Sequence, residues 1–242
     1  MKINKVCKLP ENLKATLVFA IASFATSGIN YITTPIFTRI LSTSEYGLIS
    51  VYNSWFEIVR VFASVTLIFP GILNVGLYEH SDNRWKYLSS MLGMTACSTV
   101  VISVFYGIFH QSVNEFFKLP VSTIILMLIT CFFQPATIFW TQKQRYEIKY
   151  KSTFCVSVGT AVMAQVVSVI AVLCLKNSNH NMGVVRLWSA GIVNLIVAIF
   201  LYIYICRRGK KYVDSILWKS TLFVAVPLIP HYFCLLYTSD AA

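Results

Sequence analysis

The sequence predicts an all-α, polytopic membrane protein: a helix bundle with about six complete transmembrane helices and the start of a seventh. Of its 242 residues, 57% are hydrophobic and only 12% are charged, and the mean hydropathy is +0.68. A soluble domain of this length needs more charge to cover its surface. Apolar runs of about 20 residues, the length that crosses the hydrocarbon core, also recur along the chain. Basic residues cluster at the ends of these runs, as in membrane proteins.

The first two spans are both interrupted. The run Ala15–Phe37 is too long for a signal-peptide core, and no small-residue cleavage site follows it, so we expect a retained span. Asn30 and Pro35 interrupt its far end, where a proline marks a bend near a cavity. The second run, from about Gly47 to Tyr78, is long for one helix, and Pro70 with its glycine neighbour is expected to break or kink it.

The remaining apolar runs give four more complete spans and the start of another. They are about Leu88–Phe109, Val121–Trp140, Phe154–Leu175 and Trp188–Cys206, followed by a run that starts near Leu217. Small residues in the third span, such as Gly93, allow close helix packing. We expect polar links at 80–86, 110–120, 142–151 and 176–187. The last residues, 235–242, fit a helix poorly and are expected to be a non-native tail on a fragment of a longer transporter.

The basic residues also predict the orientation. Successive links between spans lie on alternate sides of the membrane. With this assignment, about 15 lysines and arginines fall on the side of the N-terminus and about 4 on the other side. Short loops rich in lysine and arginine stay in the cytoplasm. We therefore expect a cytoplasmic basic N-terminus (1–14), a six-helix bundle (15–206), and a basic cytoplasmic link with the start of a second bundle (207–234). The net charge of +11 thus reflects topology and not nucleic-acid binding.

The residue types do not predict a metal site, a cofactor or an enzyme. The seven cysteines form no C-x-x-C pair and lie mostly in apolar segments, where cysteine acts as a small hydrophobe. The four histidines are scattered, and no serine, cysteine or aspartate has a base partner at a recognisable spacing. The longest link has about a dozen residues, which leaves little room for a catalytic loop.

Two charges in the second span are the first candidates for a functional site. Glu57 and Arg60 are spaced i, i+3, so they share a helix face and can partly neutralise each other. A charged side chain at bilayer depth costs about 2.5–3.5 kcal/mol on insertion scales, and such residues commonly mark substrate paths. The alternative is that the two charges only neutralise each other in the bundle, or lie near the interface with their charged ends in water.

Three stretches resemble one transporter family. Thr34–Gly47 resembles the first-loop pattern of O-antigen and polysaccharide flippases, which belong to the multidrug/oligosaccharidyl-lipid/polysaccharide exporter superfamily. Gln142–Tyr150 resembles the link between their fourth and fifth spans, and Val226–His231 resembles the start of their seventh. The resemblance covers residues 10 to about 234. It implies two six-helix bundles that face each other across a central cavity in the bacterial cytoplasmic (inner) membrane.

The resemblance implies a lipid-linked oligosaccharide on an undecaprenyl diphosphate carrier as cargo. A cationic cavity can replace the hydration of the diphosphate, and arginine offers paired donors to phosphate oxygens. We expect Arg60 to take this role first and Arg39 second, with Glu57 holding Arg60 or carrying a coupling proton. The alternative to a coupling proton is a coupling sodium ion. Four amides are candidates for bonds to sugar hydroxyls: Asn30, Asn53, Asn74 and Gln134. Each could instead be interhelical glue, worth about 0.6 kcal/mol per bond.

Other functions stay open at this point. A cation-coupled multidrug exporter of the same superfamily should carry acidic residues in its cavity, whereas Glu57 is the only acid well inside a span and has an arginine beside it. A membrane-embedded glycosyltransferase or polymerase usually carries a large polar loop. A structural membrane scaffold is the third alternative.

Overall fold

A computed structural model describes residues 11–176 and 181–239 and has eight α-helices in that range. They are α1 (Glu11–Ile40), α2 (Thr43–Ala63), α3 (Pro70–Glu79), α4 (Arg84–Phe117), α5 (Val121–Tyr146), α6 (Tyr150–Leu175), α7 (Met182–Gly209) and α8 (Ser215–Ser239), with a 3₁₀ turn at Ser81–Asn83. By length and composition, α1, α4, α5, α6 and α7 are able to cross a membrane. The predicted all-α helix bundle is confirmed. The predicted basic N-terminus lies mostly outside the described residues.

The second span is broken, as the sequence predicts, but the break begins before the proline. Residues 64–69 form buried turns between α2 and α3, and Pro70 takes the first helical position, where its missing N–H is not needed. Val65 and Thr66 have φ of 49° and 60°. This left-handed conformation costs a β-branched residue about 1–3 kcal/mol. The Thr66 hydroxyl donates to the Ala225 carbonyl oxygen of α8 at 3.2 Å, which anchors the turn.

Two boundaries differ from the sequence prediction. The expected link at 110–120 is mostly helical. Helix α4 bends at Phe109 (φ −110°, ψ 25°) and then continues to Phe117. The polar residues of this link are not helix breakers, and the extension is held by Trp55 of α2, whose ring stacks on Phe117 at 4.2 Å. The backbone of α8 also stays helical beyond residue 234, through Ser239, whereas the expectation that 235–242 is a non-native tail stays a prediction. A helix that has formed extends at little cost through residues such as leucine and tyrosine.

Helix α7 lies at the centre of the bundle and packs against α4, α5 and α6, while α1 packs against α6. Glycines allow the closest approaches. A Cβ at Gly191 of α7 would lie 2.9 Å from a methyl carbon of Leu126 in α5. One at Gly93 of α4 would collide with the Tyr212 backbone, which lies in the link between α7 and α8.

One glutamate joins the start of α2 to the start of α7. Glu45 accepts hydrogen bonds from the Ser42 backbone N–H at 2.9 Å and from the Met182 backbone N–H at 2.7 Å. The Ser42 hydroxyl accepts the Glu45 N–H in return, which completes a capping box. Burial raises the pKa of Glu45, but these backbone hydrogen bonds outweigh it, and the net pKa lies below the ordinary value of 4.5. The first turns of α2 and α7 are therefore fixed to each other.

Candidate functional site

A polar cavity of about 400 Å³ lies between α1, α2, α5, α6 and α7. Most of its polar lining consists of amides and hydroxyls. These residues, with one arginine, are Asn30, Thr33, Thr34, Tyr52, Asn53, Thr130, Gln134, Gln165, Arg186 and Asn194. A cavity of this volume is large enough for a small ligand or part of a larger one. Neutral hydrogen-bonding groups in such number, between helices that are apolar elsewhere, can bind a polar ligand.

The amides on opposite walls of the cavity are positioned by short hydrogen bonds. The Gln165 side-chain N–H of α6 donates to the Asn30 side-chain oxygen of α1 at 2.9 Å. Asn194 donates to the Ala190 carbonyl oxygen one turn earlier in α7, also at 2.9 Å. The side-chain oxygen of Gln134 is buried and has no hydrogen-bond partner within the part of the chain that the structure describes. A buried acceptor without a partner is costly, so a ligand donor at Gln134 would be favoured.

Arg186 is the charged residue in the lining of this cavity. It is partly buried, and its guanidinium carbon lies 3.8 Å from the centre of the Phe37 ring of α1. Among the described residues, no carboxylate forms an ion pair with it. A ring face holds a guanidinium in place without neutralising its charge. The cavity therefore has a positive charge that is available to an anion.

The sequence analysis missed Arg186 because it placed this residue in a polar link before a span beginning at Trp188. The helix instead begins at Met182, and the Asn181 side chain caps it by accepting the Val184 N–H at 3.2 Å. Arg186 therefore lies in the second turn of α7. An asparagine directly before a helical pattern is a recognised start signal and could have identified this position.

Of the seven predicted site residues, the structure brings three together. Asn30, Asn53 and Gln134 all line the cavity, from α1, α2 and α5. Arg39 is exposed at the end of α1, and Asn74 is exposed on α3. Neither of these two lines the cavity, and their binding roles stay predictions.

Glu57 and Arg60 form the ion pair that their spacing predicts. The Arg60 guanidinium carbon lies 5.8 Å from the centre of the Phe56 ring, and Phe56 lines the cavity. Neither charge is itself in the lining. The Arg60 side chain is 25% exposed, and its Nε is buried without a hydrogen-bond partner among the described residues. The pair thus lies beside the cavity with its charge largely neutralised, and its role in binding stays a prediction.

Comparison with known families gives one match. A model of a polysaccharide biosynthesis protein family matches residues 36–225. The chain belongs to this family. The match runs from the end of α1 into α8, and it includes every cavity residue that α2, α5, α6 and α7 contribute. Comparisons with curated proteins and with solved structures gave no match.

Membership of the polysaccharide biosynthesis protein family confirms the resemblance seen in the sequence. The match covers most of Thr34–Gly47 and all of Gln142–Tyr150, whereas Val226–His231 lies just beyond it. The family assigns the chain a role in polysaccharide synthesis or export. Its apolar helices place it among membrane proteins.

Proposed function

We propose that this protein flips an oligosaccharide linked to undecaprenyl diphosphate across the bacterial cytoplasmic membrane. The observation that carries the proposal is Arg186, a cation without an acidic partner among the described residues, in a cavity lined by amides. Such a cavity offers charge to a diphosphate and neutral donors and acceptors to sugars. Family membership supports a cargo of this kind.

In this proposal the diphosphate binds at Arg186, whose planar guanidinium can donate two parallel hydrogen bonds to phosphate oxygens. The sugars lie against Asn30, Asn53, Gln134 and the neighbouring hydroxyls. A diphosphate carries its charge across about 30 Å of hydrocarbon only if protein groups replace its water. Arg60 lies one turn beyond Phe56 on α2 and is a second cation. It can bind the diphosphate if it exchanges its ion pair with Glu57 for one with the cargo.

Transport would follow alternating access, in which two helix bundles rock around a central site. No step makes or breaks a covalent bond, so we propose a transporter and not an enzyme. Coupling by a proton or by sodium is compatible with this scheme. The carboxylate beside the cavity, Glu57, is the candidate for a coupling proton.

The same proposal places the basic end of the bundle in the cytoplasm. Three links that alternation assigns to one side do meet in space: Arg84 lies 3.4 Å from Glu147, and Arg208 lies 5.5 Å from the Trp85 ring. Short loops with this charge stay on the cytoplasmic side. Single cysteines at Lys149 and Lys210 should react with a thiol reagent only from the cytoplasm, and labelling from outside would overturn this orientation.

Reconstituted vesicles test the function. A fluorescent lipid-linked oligosaccharide in the inner leaflet is protected from dithionite, and with the protein present this protected fraction should fall faster than in protein-free vesicles. An equal rate would contradict the proposal. Movement of a cationic dye in place of the lipid would favour a multidrug exporter, although the described cavity lining has no carboxylate to attract one.

A further inference from the structure

A second cavity, of about 420 Å³, lies at the basic end of the bundle. It lies between the start of α4, the end of α5, the start of α6 and the end of α7. It shares no lining residue with the first cavity. Its charged lining residues are Lys143, Glu147, Lys149 and Arg208. We refer to it as the basic-end pocket.

Positive charge is in excess around the basic-end pocket. The Glu147 carboxylate accepts hydrogen bonds from Lys143, from Lys149 at 2.7 Å and from Arg84 at 3.4 Å. Burial raises the pKa of Glu147, but the hydrogen bonds from the two lysines outweigh it and bring that pKa to about 2. One ionised carboxylate is therefore shared by three cations.

Arg208 adds a fourth cation. Its guanidinium carbon lies 5.1 Å from the Tyr204 ring centre and 5.5 Å from that of Trp85. It forms no ion pair with any residue in the described ranges. An arginine held by aromatic faces keeps its hydrogen-bond donors available, and guanidinium is the side chain best matched to phosphate oxygens.

The pocket is built from buried polar groups and is more than a patch of surface lysines. The Lys143 side chain is only 3% exposed, and its ammonium lies 4.1 Å from the centre of the Trp85 ring. Gln144 is 7% exposed, and its side-chain oxygen has no hydrogen-bond partner among the described residues. Burying a charge and an unpaired amide is unfavourable unless something satisfies them. Glu147 already pairs with the Lys143 ammonium, so the group of the pocket left unsatisfied within the described ranges is the Gln144 oxygen, which needs a hydrogen-bond donor such as a hydroxyl of a glycerol headgroup.

One wall of the pocket is apolar and faces outward. Phe200 of α7 lines it and is 69% exposed, whereas Trp140 of α5 lines the pocket from the buried side and is 8% exposed. Cationic groups beside an outward apolar wall suit a ligand with an anionic head and hydrocarbon chains. Basic pockets between membrane helices bind such headgroups in other proteins.

We propose that the basic-end pocket binds the phosphate of an anionic phospholipid headgroup. Lys149 and Arg208 contact the phosphate, and Lys143 contributes charge from behind while it holds Glu147. The acyl chains extend along the Phe200 wall. This site is separate from the transport cavity, and its existence does not depend on the proposed function.

The experiment titrates the purified chain in neutral detergent with dioctanoyl phosphatidylglycerol and counts bound lipid by native mass spectrometry. Two probes separate the sources of phosphate: dioctanoyl phosphatidylcholine, with a phosphate but no net charge, and inorganic phosphate, with no chains. We expect one phosphatidylglycerol to bind at least about fivefold more tightly than either, since each basic residue near an anionic lipid contributes about fivefold. Equal binding of inorganic phosphate, or of phosphatidylcholine, would overturn the proposal.

Neighbouring residues provide matched variants. Arg208→Gln should weaken phosphatidylglycerol binding by about fivefold, whereas Arg207→Gln, one residue away, exposed and outside the lining, should change it by less than about twofold. Lys149→Gln and Lys151→Gln form a second pair with the same expected contrast. Each variant removes one positive charge from the same end of the bundle, so the non-specific attraction for an anionic lipid falls equally for the two members of a pair. Equal losses within both pairs would leave only that attraction and refute the site. A transport assay that fails while this contrast holds would count against the proposed function alone.

Discussion

Neutralising Arg186 should weaken binding of the diphosphate while leaving the fold intact. Its side chain loses one aromatic contact, worth about 0.5–2 kcal/mol, and no ion pair within residues 11–176 and 181–239. A hydrogen bond from this cation to a charged phosphate is worth about 1.5–3 kcal/mol. At 1.4 kcal/mol for each factor of ten, Arg186→Gln should weaken binding by about 10- to 100-fold. The affinity of Arg186→Lys should lie between those of the unmodified chain and Arg186→Gln, since lysine keeps the charge but loses the paired donors.

The assay is fluorescence anisotropy of a labelled polyprenyl diphosphate with the purified chain, with thermal unfolding as a check on folding. Arg60→Gln is the matched comparison, because it removes one arginine that already has an acidic partner and lies outside the cavity lining. It should weaken binding by less than about threefold, since Arg60 does not line the cavity and the Glu57 carboxylate left behind is 38% exposed and therefore screened by solvent. The sequence-based hypothesis gives the opposite ranking, with Arg60 first. A larger loss from Arg60→Gln than from Arg186→Gln would refute the assignment made from the structure.

Three further predictions concern the helix ends. Gly183→Ala places a Cβ 2.7 Å from the Glu45 carbonyl oxygen. It should lower the free energy of unfolding, measured by denaturant titration, by about 1–3 kcal/mol. The control Gly28→Ala meets open space and should be neutral or stabilising. Because the folded pKa of Glu45 lies below its ordinary value, its stabilisation is complete above that ordinary value and is lost as pH falls through the folded pKa. Acid unfolding curves of Glu45→Gln should therefore lack this loss, and an unchanged acid limb would contradict the argument. Glu147→Gln leaves the buried Lys143 ammonium without its carboxylate and should reduce stability by about 3 kcal/mol, measured by thermal unfolding; a change within error would show that the pair is not needed.

The sequence predicted most of the architecture because hydrocarbon imposes strong periodic requirements on composition. Apolar runs and basic ends located the helices, and Pro70 indicated the broken second span. Asn30, Asn53 and Gln134 were identifiable because an amide inside an apolar span stands out. Their convergence on one cavity could not be predicted, since it depends on how α1, α2 and α5 are rotated against one another.

Hydropathy alone failed at the ends of helices. It does not distinguish a polar helical turn from a loop, so α7 was predicted to begin at Trp188, and Arg186 was assigned to a link. The third span was predicted to end at Phe109, where α4 does kink, but the residues assigned to a link beyond it are helical to Phe117. In both cases the deciding information is local: an N-cap asparagine at position 181 and an aromatic contact from Trp55.

Photo-cross-linking from two asparagines tests the central claim, that the cavity between α1, α2, α5, α6 and α7 receives the lipid-linked cargo. A benzophenone amino acid replaces Asn53, which lines the cavity, or Asn74, which is exposed on α3 outside it. The account predicts that a lipid-linked oligosaccharide is captured at position 53 and displaced by unlabelled lipid, with little capture at position 74. Equal capture at both positions, or capture at position 74 alone, would contradict it.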